Sequence, residues 1–347
     1  MVDQILLLYG IQPGDFTTEL FGDGLINHTW KVKTATDAYI LQRVNDHIFQ
    51  APFVIDQNLR KLQLYLNEQH PGYTFVGPLP ALTGDTLLQT DLGYFRLFPY
   101  VVGSHAINTV TDIDEAFEAA KQFGQFSRLL NDFDVNQLGI TLPDFHNLSL
   151  RYQQFLQACE KASGARKAAA ADAIAFIFDN RAIVTVFEEI LEHKKIPLRV
   201  IHHDTKISNV LFDEQNKGIC VIDLDTVMPG YFISDLGDMM RTYLSAANEE
   251  ETDFEKVAVR PEFVKAIYDG YLSEMGDVLT ATEKNCFMYA GKFIIFMQAI
   301  RFLTDYLQND SYYGSKYENH NLNRALNQIT LLVKLQEIES DLKILLS

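Results

Sequence analysis

The stretch Val200-Ile201-His202-His203-Asp204-Thr205-Lys206-Ile207-Ser208-Asn209-Val210-Leu211-Phe212 is followed by Ile219-Cys220-Val221-Ile222-Asp223-Leu224-Asp225. It offers a carboxylate at Asp204, an amide oxygen at Asn209 and two more carboxylates at Asp223 and Asp225. Such oxygens hold a hard divalent cation such as Mg²⁺, and a carboxylate beside them can take a proton from a hydroxyl. The apolar runs 210–213 and 219–222 flank Glu214-Gln215-Asn216-Lys217-Gly218, a hairpin signal. A hairpin centred on Asn216 sets Asn209 opposite Asp223, about 5 Å apart between Cα atoms. Asp225 then lies on the same strand face as a candidate second carboxylate ligand. A surface hairpin with acidic ends would read the same way.

His202-x-Asp204, with Asn209 five positions on, is also the spacing of a kinase catalytic loop, in which Asp faces the acceptor hydroxyl and Asn holds a metal ion. The stretch from Val200 to Arg241 resembles the aminoglycoside phosphotransferase and choline kinase superfamily of small-molecule kinases. Four segments look like its N-acetylhexosamine 1-kinase branch: 204–213, 222–230, Tyr39-Ile40-Leu41-Gln42-Arg43-Val44-Asn45 and Ile300-Arg301-Phe302-Leu303-Thr304-Asp305-Tyr306-Leu307. The resemblance implies an α+β, bilobal, protein-kinase-like fold with a small β-rich N-lobe and a larger helical C-lobe. It makes ATP the phosphoryl donor, Asp204 the catalytic base and Asn209 and Asp223 the Mg²⁺ ligands, with Asp225 assisting. His202 becomes a structural residue of the loop, and Asp235 resembles the acidic residue that braces it, a role compatible with capping the next helix.

The sequence departs from that pattern in the N-terminal part. Gly22-Asp23-Gly24-Leu25-Ile26-Asn27 is half of a Gly-x-Gly-x-x-Gly loop and equally a plain β-turn. The third strand carries Gln42-Arg43 where most kinases place a phosphate-gripping Lys, so Arg43 is one candidate cation and Lys206 another. A solvated surface charge is the plain reading of either. Pro99-Tyr100-Val101 is the expected interlobe segment offering backbone groups to adenine, or simply an edge strand leaving a sheet. In the apolar stretch 282–308, Gln298, Arg301 and Asp305 form a polar stripe at i, i+3, i+7. They read as a cavity wall that binds sugar hydroxyls or an acetamido group, or as an i, i+4 ion pair of Arg301 with Asp305.

Segments 17–22, 28–33 and 38–44 alternate like the strands of a small antiparallel sheet, and Ile55, Leu59, Leu62 and Leu66 predict a helix over 53–69 packed on it. Two more strands fit Leu87-Leu88 and 94–100. Beyond residue 103 helices take over, the first opened by Asp112 and Glu115, with others at 149–161, 168–193, 235–247, 261–275, 282–308 and 319–345. This predicts a nucleotide-binding lobe over 1–101 and a helical catalytic and substrate lobe over 102–347.

With 29 Lys plus Arg against 46 Asp plus Glu, the 347-residue chain carries a formal charge of −17, which repels a polyanion. Nucleic acid is therefore excluded as a partner, whereas one small nucleotide is not. Lys292, Gln298, Arg301 and Asp305 interrupt the most apolar stretch, so no membrane partner is expected, and a start without a basic secretory signal predicts a cytoplasmic protein. The expected activity is ATP- and Mg²⁺-dependent phosphorylation of the anomeric hydroxyl of an N-acetylhexosamine. The alternatives are an aminoglycoside or amino-alcohol (choline-like) phosphotransferase and, in another class, a nucleotide-binding pseudokinase. Oligomeric state has no signature in the sequence.

Overall fold

Five antiparallel strands, β1 (Phe16–Leu20), β2 (His28–Thr34), β3 (Ala38–Val44), β4 (Leu88–Thr90) and β5 (Gly93–Pro99), form one sheet in the order β1-β2-β3-β5-β4. They are seen in a computed structural model that describes residues 2–22 and 27–346. Register sets Leu41 opposite Leu97 and Gln42 opposite Arg96. Since strand side chains alternate between faces, Leu41, Leu97, Val32 and Phe95 enter the core while Gln42 and Arg96 project from the other face. A helix over Val2–Leu8, unforeseen from the sequence, adds Ile5 and Leu6 to that core.

The helix Pro52–Gln69 buries Ile55, Leu59, Leu62 and Leu66, as their spacing requires. Its Asn58, 1% exposed, donates to the carbonyls of Gly139 (2.8 Å) and Val227 (3.2 Å) and accepts from the Gly139 amide (2.9 Å). These bonds join distant segments of one compact unit, made of Met1–His105, Asp132–Pro143 and Leu211–Pro229. The segment Leu211–Pro229, with Asp223 and Asp225, falls in the same compact unit as the sheet.

The second unit, Ala106–Asn131, Asp144–Val210 and Gly230–Ser347, is helical. Asp112 and Glu115 form the expected capping box of the helix Ile113–Leu129. That helix packs closely on Pro261–Met275, where any Cβ at Gly270 would collide with the carbonyl of Phe117. The helix Phe287–Leu307 lies among Leu148–Lys161, Phe232–Tyr243 and His320–Glu337. It is the one helix among the described residues long and apolar enough to cross a membrane, and 78% of that stretch is buried in the fold.

Three long expected helices are broken. Residues 168–193 divide among Gly164–Ala169, Ala171–Asp179 and Ala182–Glu192. Asn180 ends the middle piece by turning its amide nitrogen back onto the Phe176 carbonyl (3.0 Å), a local bond that competes with helix continuation. A Thr280/Glu283 capping box starts a separate helix, Ala281–Asn285, and the C-terminal stretch divides at Ile338. The helix expected at 235–247 instead begins three residues earlier, as Phe232–Tyr243, which moves Asp235 from the cap into the first turn.

Candidate active site

Within the helical unit, the loop around Asp204 is held by two carboxylates from the helix Phe232–Tyr243. Asp235 accepts the backbone N–H groups of His202 (2.9 Å) and His203 (2.6 Å), and Asp238 accepts that of Thr205 (2.8 Å). The Thr205 hydroxyl donates to the Asp235 carbonyl (2.6 Å), and Tyr243 donates its hydroxyl to the Thr205 carbonyl (2.7 Å). His203 stands at φ 69°, a left-handed conformation uncommon for a side-chain-bearing residue. The bond to Asp235 holds it there, and the absent Cβ of Gly230 leaves room for its ring. His202 is fully buried, edge-on to Phe123 at 5.2 Å, and its Nδ1 accepts the Asp204 N–H at 3.3 Å. Both residues expected to support the loop therefore touch it directly.

Burial pushes the Asp235 carboxyl up to about 6, against the opposing pull of His202 and the two amide bonds. The folded protein then holds this proton more tightly than the unfolded chain. Asp235 contributes stability that is complete below about pH 4 and lost as pH rises through about 6. Asp235→Asn should flatten the pH dependence of stability by about 1.4 kcal/mol per pH unit in that window. Urea unfolding at a series of pH values checks this, and an unchanged slope would assign the titration to another group.

Asp204 keeps a quarter of its side chain exposed and takes two cationic or polar contacts on Oδ2, from Lys206 Nζ (3.1 Å) and Asn209 Nδ2 (3.0 Å). Asn209 also donates Nδ2 to the Asp204 carbonyl (2.9 Å). With its nitrogen so committed, Asn209 presents its amide oxygen as the group for a cation, which fits the donor chemistry of Mg²⁺. Among the described residues no cluster of three His, Cys, Asp or Glu forms a ready-made metal cage.

The hairpin is shorter than its sequence suggested. Asp213 N–H donates to the Lys217 carbonyl (2.9 Å) and Asn216 N–H to the Asp213 carbonyl (3.0 Å), with Asn216 at φ 57°. The loop is therefore three residues centred on Gln215, a shift of two in register from a hairpin centred on Asn216. Its second strand, Gly218–Val221, ends before Asp223. Asp223 takes a left-handed conformation (φ 59°) at the head of a 3₁₀ turn, Leu224–Thr226, so Asp225 is not on a strand face at all.

Within the sheet unit Asp225 is 2% exposed and meets Arg96 in a two-pronged ion pair, Nη1 to Oδ1 and Nη2 to Oδ2, each 2.6 Å. Asn27 donates to Oδ2 as well (3.1 Å). Arg96 also donates to the Gln42 side-chain oxygen from Nε (2.9 Å) and Nη2 (2.6 Å). Arg43 belongs to the opposite, core-facing set of β3, beside Gly93. The cation bonded to Gln42 on that face is Arg96, which sequence reasoning missed; its one signal was a lone Arg in the apolar run Tyr94–Phe98. Of Gly22–Asn27, residues 23–26 lie outside the described residues. Beyond Pro99, the Tyr100 N–H bonds to Ala38 (3.0 Å) and the Val101 carbonyl accepts from Ser104 Oγ (2.6 Å), so two backbone groups expected to meet adenine are engaged within the unit.

The polar stripe on Phe287–Leu307 divides by task. Asp305, 2% exposed, accepts the N–H groups of Tyr312 (2.7 Å) and Tyr313 (2.9 Å) and the Asn321 amide (3.1 Å). It folds the 308–314 loop and forms no ion pair with Arg301. Arg301 instead bonds Gln298 (3.3 Å) and lies 5.7 Å from the ring centres of Phe145 and Tyr313. Phe145 stacks on His146 at 4.5 Å, and His146 lies 5.4 Å from His203, next to Asp204. His146 Nδ1 is buried without a hydrogen-bond partner, and burial, with His203, Arg301, Arg241 and Arg151 nearby, holds its pKa well below the usual histidine range. Sequence reasoning missed His146, because nothing in its local pattern separates it from a surface histidine.

The family model of the phosphotransferase enzyme family, APH, matches residues 17–277. The chain belongs to that family. Among solved structures it is similar to a microcompartment-associated aminopropanol kinase at 16% identity, covering 100% of this chain and 99% of that one with a TM-score of 0.64. It is also similar to spectinomycin phosphotransferase in complex with ADP and spectinomycin, at 16% identity, 99% and 97% coverage and a TM-score of 0.59. An aminoglycoside phosphotransferase from Alicyclobacillus acidocaldarius gives 15% identity, 100% and 96% coverage and a TM-score of 0.63. These likenesses fix the fold, a β-rich sheet region with a larger helical part. In this member of the family the Asp204 loop carries a carboxylate and an amide in contact, and Gln42 with Arg96 stand where the third-strand Lys was sought.

Proposed function

We propose that this phosphotransferase moves the γ-phosphoryl group of ATP to a hydroxyl of a small molecule, with Asp204 as the base. The observation that carries this is the pinned loop: Asp235 and Asp238 hold the backbone on both sides of Asp204, whose carboxylate is aligned by Asn209 and Lys206. A carboxylate so fixed orients an acceptor hydroxyl and takes its proton late in a loose transition state. Lys206 brings positive charge to the transferred group. Asn209 and Asp223 would hold Mg²⁺, which when bound offsets charge on the phosphates. Asp225, saturated by Arg96 and Asn27, serves as a structural anchor for the Asp223 turn and not as a ligand. The reaction belongs in the cytoplasm, where ATP is supplied.

For the acceptor, we favour a hydroxyl-rich molecule without a fixed cation, such as an N-acetylhexosamine. Arg301 and Arg151 form no ion pair among the described residues, and with Arg241 they press charge on His146. Cations so arranged oppose an ammonium-bearing acceptor and suit hydroxyl or amide oxygens, and the unpartnered His146 Nδ1 adds one more polar contact. Asp305 drops out of this set because its carboxylate is spent on the 308–314 loop. A second reading, an amino alcohol or aminoglycoside as acceptor, is favoured by the names of the similar structures, which stand nearer to it than to any sugar. Arg301→Ala should lower kcat/KM for the acceptor by about 10- to 100-fold with nucleotide KM nearly unchanged. Steady-state kinetics on hexosamines, hexoses, choline and aminoglycosides tests both readings: turnover of cationic acceptors alone would establish the second.

A further inference from the structure

A chain of alternating charges runs through the helical unit from the catalytic loop to the loop that carries Tyr312 and Tyr313. Asp238 accepts the Thr205 N–H on Oδ2 and holds Arg241 on Oδ1, at 3.0 Å from both Nε and Nη2. Arg241 Nη1 reaches Glu249 (3.0 Å), and the other oxygen of Glu249 is bonded by Arg324. Arg324 also donates to the Asn321 oxygen (3.3 Å), and the Asn321 nitrogen bonds Asp305 (3.1 Å), Asp310 (2.9 Å) and the Gly314 carbonyl (2.8 Å). Asp305 closes the chain on the amides of Tyr312 and Tyr313. The guanidinium of Arg324 is stacked 3.8 Å from the Phe302 ring centre and 5.3 Å from that of Tyr313.

We propose that Arg324 is a positioning residue that links the Tyr312–Tyr313 loop to the backbone of the catalytic loop through Glu249, Arg241 and Asp238. A planar fork with donors on two edges and a stacking face suits this junction, which a lysine cannot reproduce in full. Each link is partly or wholly buried, so the charges are weakly screened and each depends on its neighbour. Removing Arg324 leaves Glu249 with Arg241 alone and draws Arg241 away from Asp238, loosening the Thr205 amide. The same loss leaves the Asn321 side-chain oxygen without its Arg324 donor, loosening the residue on which the 308–314 loop hangs. Acceptor binding at Arg301, which lies 5.7 Å from the Tyr313 ring centre, is thereby coupled to order at Asp204, an extension that rests on the proposed phosphotransfer.

Amide hydrogen exchange on the full chain, with no ligand added, tests the link independently of activity. Arg324→Met should speed exchange about 3- to 30-fold in peptides covering both 203–205 and 312–314, with the helix Leu148–Lys161 unchanged. Arg324→Lys, which keeps a charge for Glu249 and loses the fork to Asn321, should restore 203–205 but not 312–314. Acceleration confined to 312–314, or spread over all helices, would overturn the proposal. If Arg324→Met does not fold, Glu249→Gln takes its place and should speed exchange at 203–205 alone; no change there would overturn it too. In kinetics Arg324→Met should raise acceptor KM and lower kcat with nucleotide KM unchanged. A wild-type chain that phosphorylates nothing would count against the proposed function and leave the exchange result standing.

Discussion

Asp204→Asn should lower kcat by about 10²- to 10⁴-fold while nucleotide affinity stays within about twofold of wild type. Asparagine keeps the shape and can still accept from Asn209, but it cannot take the proton of an acceptor hydroxyl. It also removes the negative charge that holds Lys206 at 3.1 Å, so part of the loss is lost alignment at the phosphoryl group. The loop itself should survive, because its amides are fixed by Asp235 and Asp238 and not by Asp204. Single-turnover rates with nucleotide titration separate chemistry from binding. Equal losses in rate and nucleotide affinity would show that Asp204 serves the nucleotide and not the acceptor.

Arg96→Met should destabilise the protein by about 3–5 kcal/mol, the typical cost of leaving one member of a buried ion pair alone. Arg96 and Asp225 have side chains only 5% and 3% exposed, so water cannot take over the lost partner. The double variant Arg96→Met/Asp225→Leu should recover most of that loss, since a buried pair replaced by apolar groups costs far less than a pair broken on one side. Arg96→Lys should behave more like Met than its charge suggests, because one ammonium cannot bridge both oxygens of Asp225 and also reach Gln42. Urea unfolding midpoints of the four proteins check the series. A double variant no more stable than the single one would contradict the role given to the pair.

The pairing of Asp204 with Asn209 in one loop was legible because both lie within a few residues, just before an apolar run. The capping box at Asp112 and Glu115 and the buried stripe of Ile55, Leu59, Leu62 and Leu66 were legible for the same reason. The helix Val2–Leu8 was not, since seven residues give under two turns and too few apolar repeats to separate it from a strand. Arg96 and Asp225 are 129 positions apart, and only the register of β3 with β5 brings Arg96 to Gln42 and away from Arg43. Asp305 looked like one of three equal polar residues because helical spacing shows a face and not a partner. Its partners come from a loop whose course the sequence pattern leaves open. The hairpin shift came from one residue: Asn216 accepts a left-handed conformation and so permits a tighter loop than counting from the centre implied.

The central claim, that Asp204 performs phosphoryl transfer to a small-molecule hydroxyl, is tested most directly by following transfer of labelled γ-phosphate from ATP with Mg²⁺ to the acceptor panel, wild type beside Asp204→Asn. The account predicts a phosphate ester of at least one acceptor with wild type, and its loss by about 10²-fold or more in the variant. ATP binding without transfer to any acceptor, with Asp204→Asn indistinguishable from wild type, would contradict it and make the chain a nucleotide-binding module.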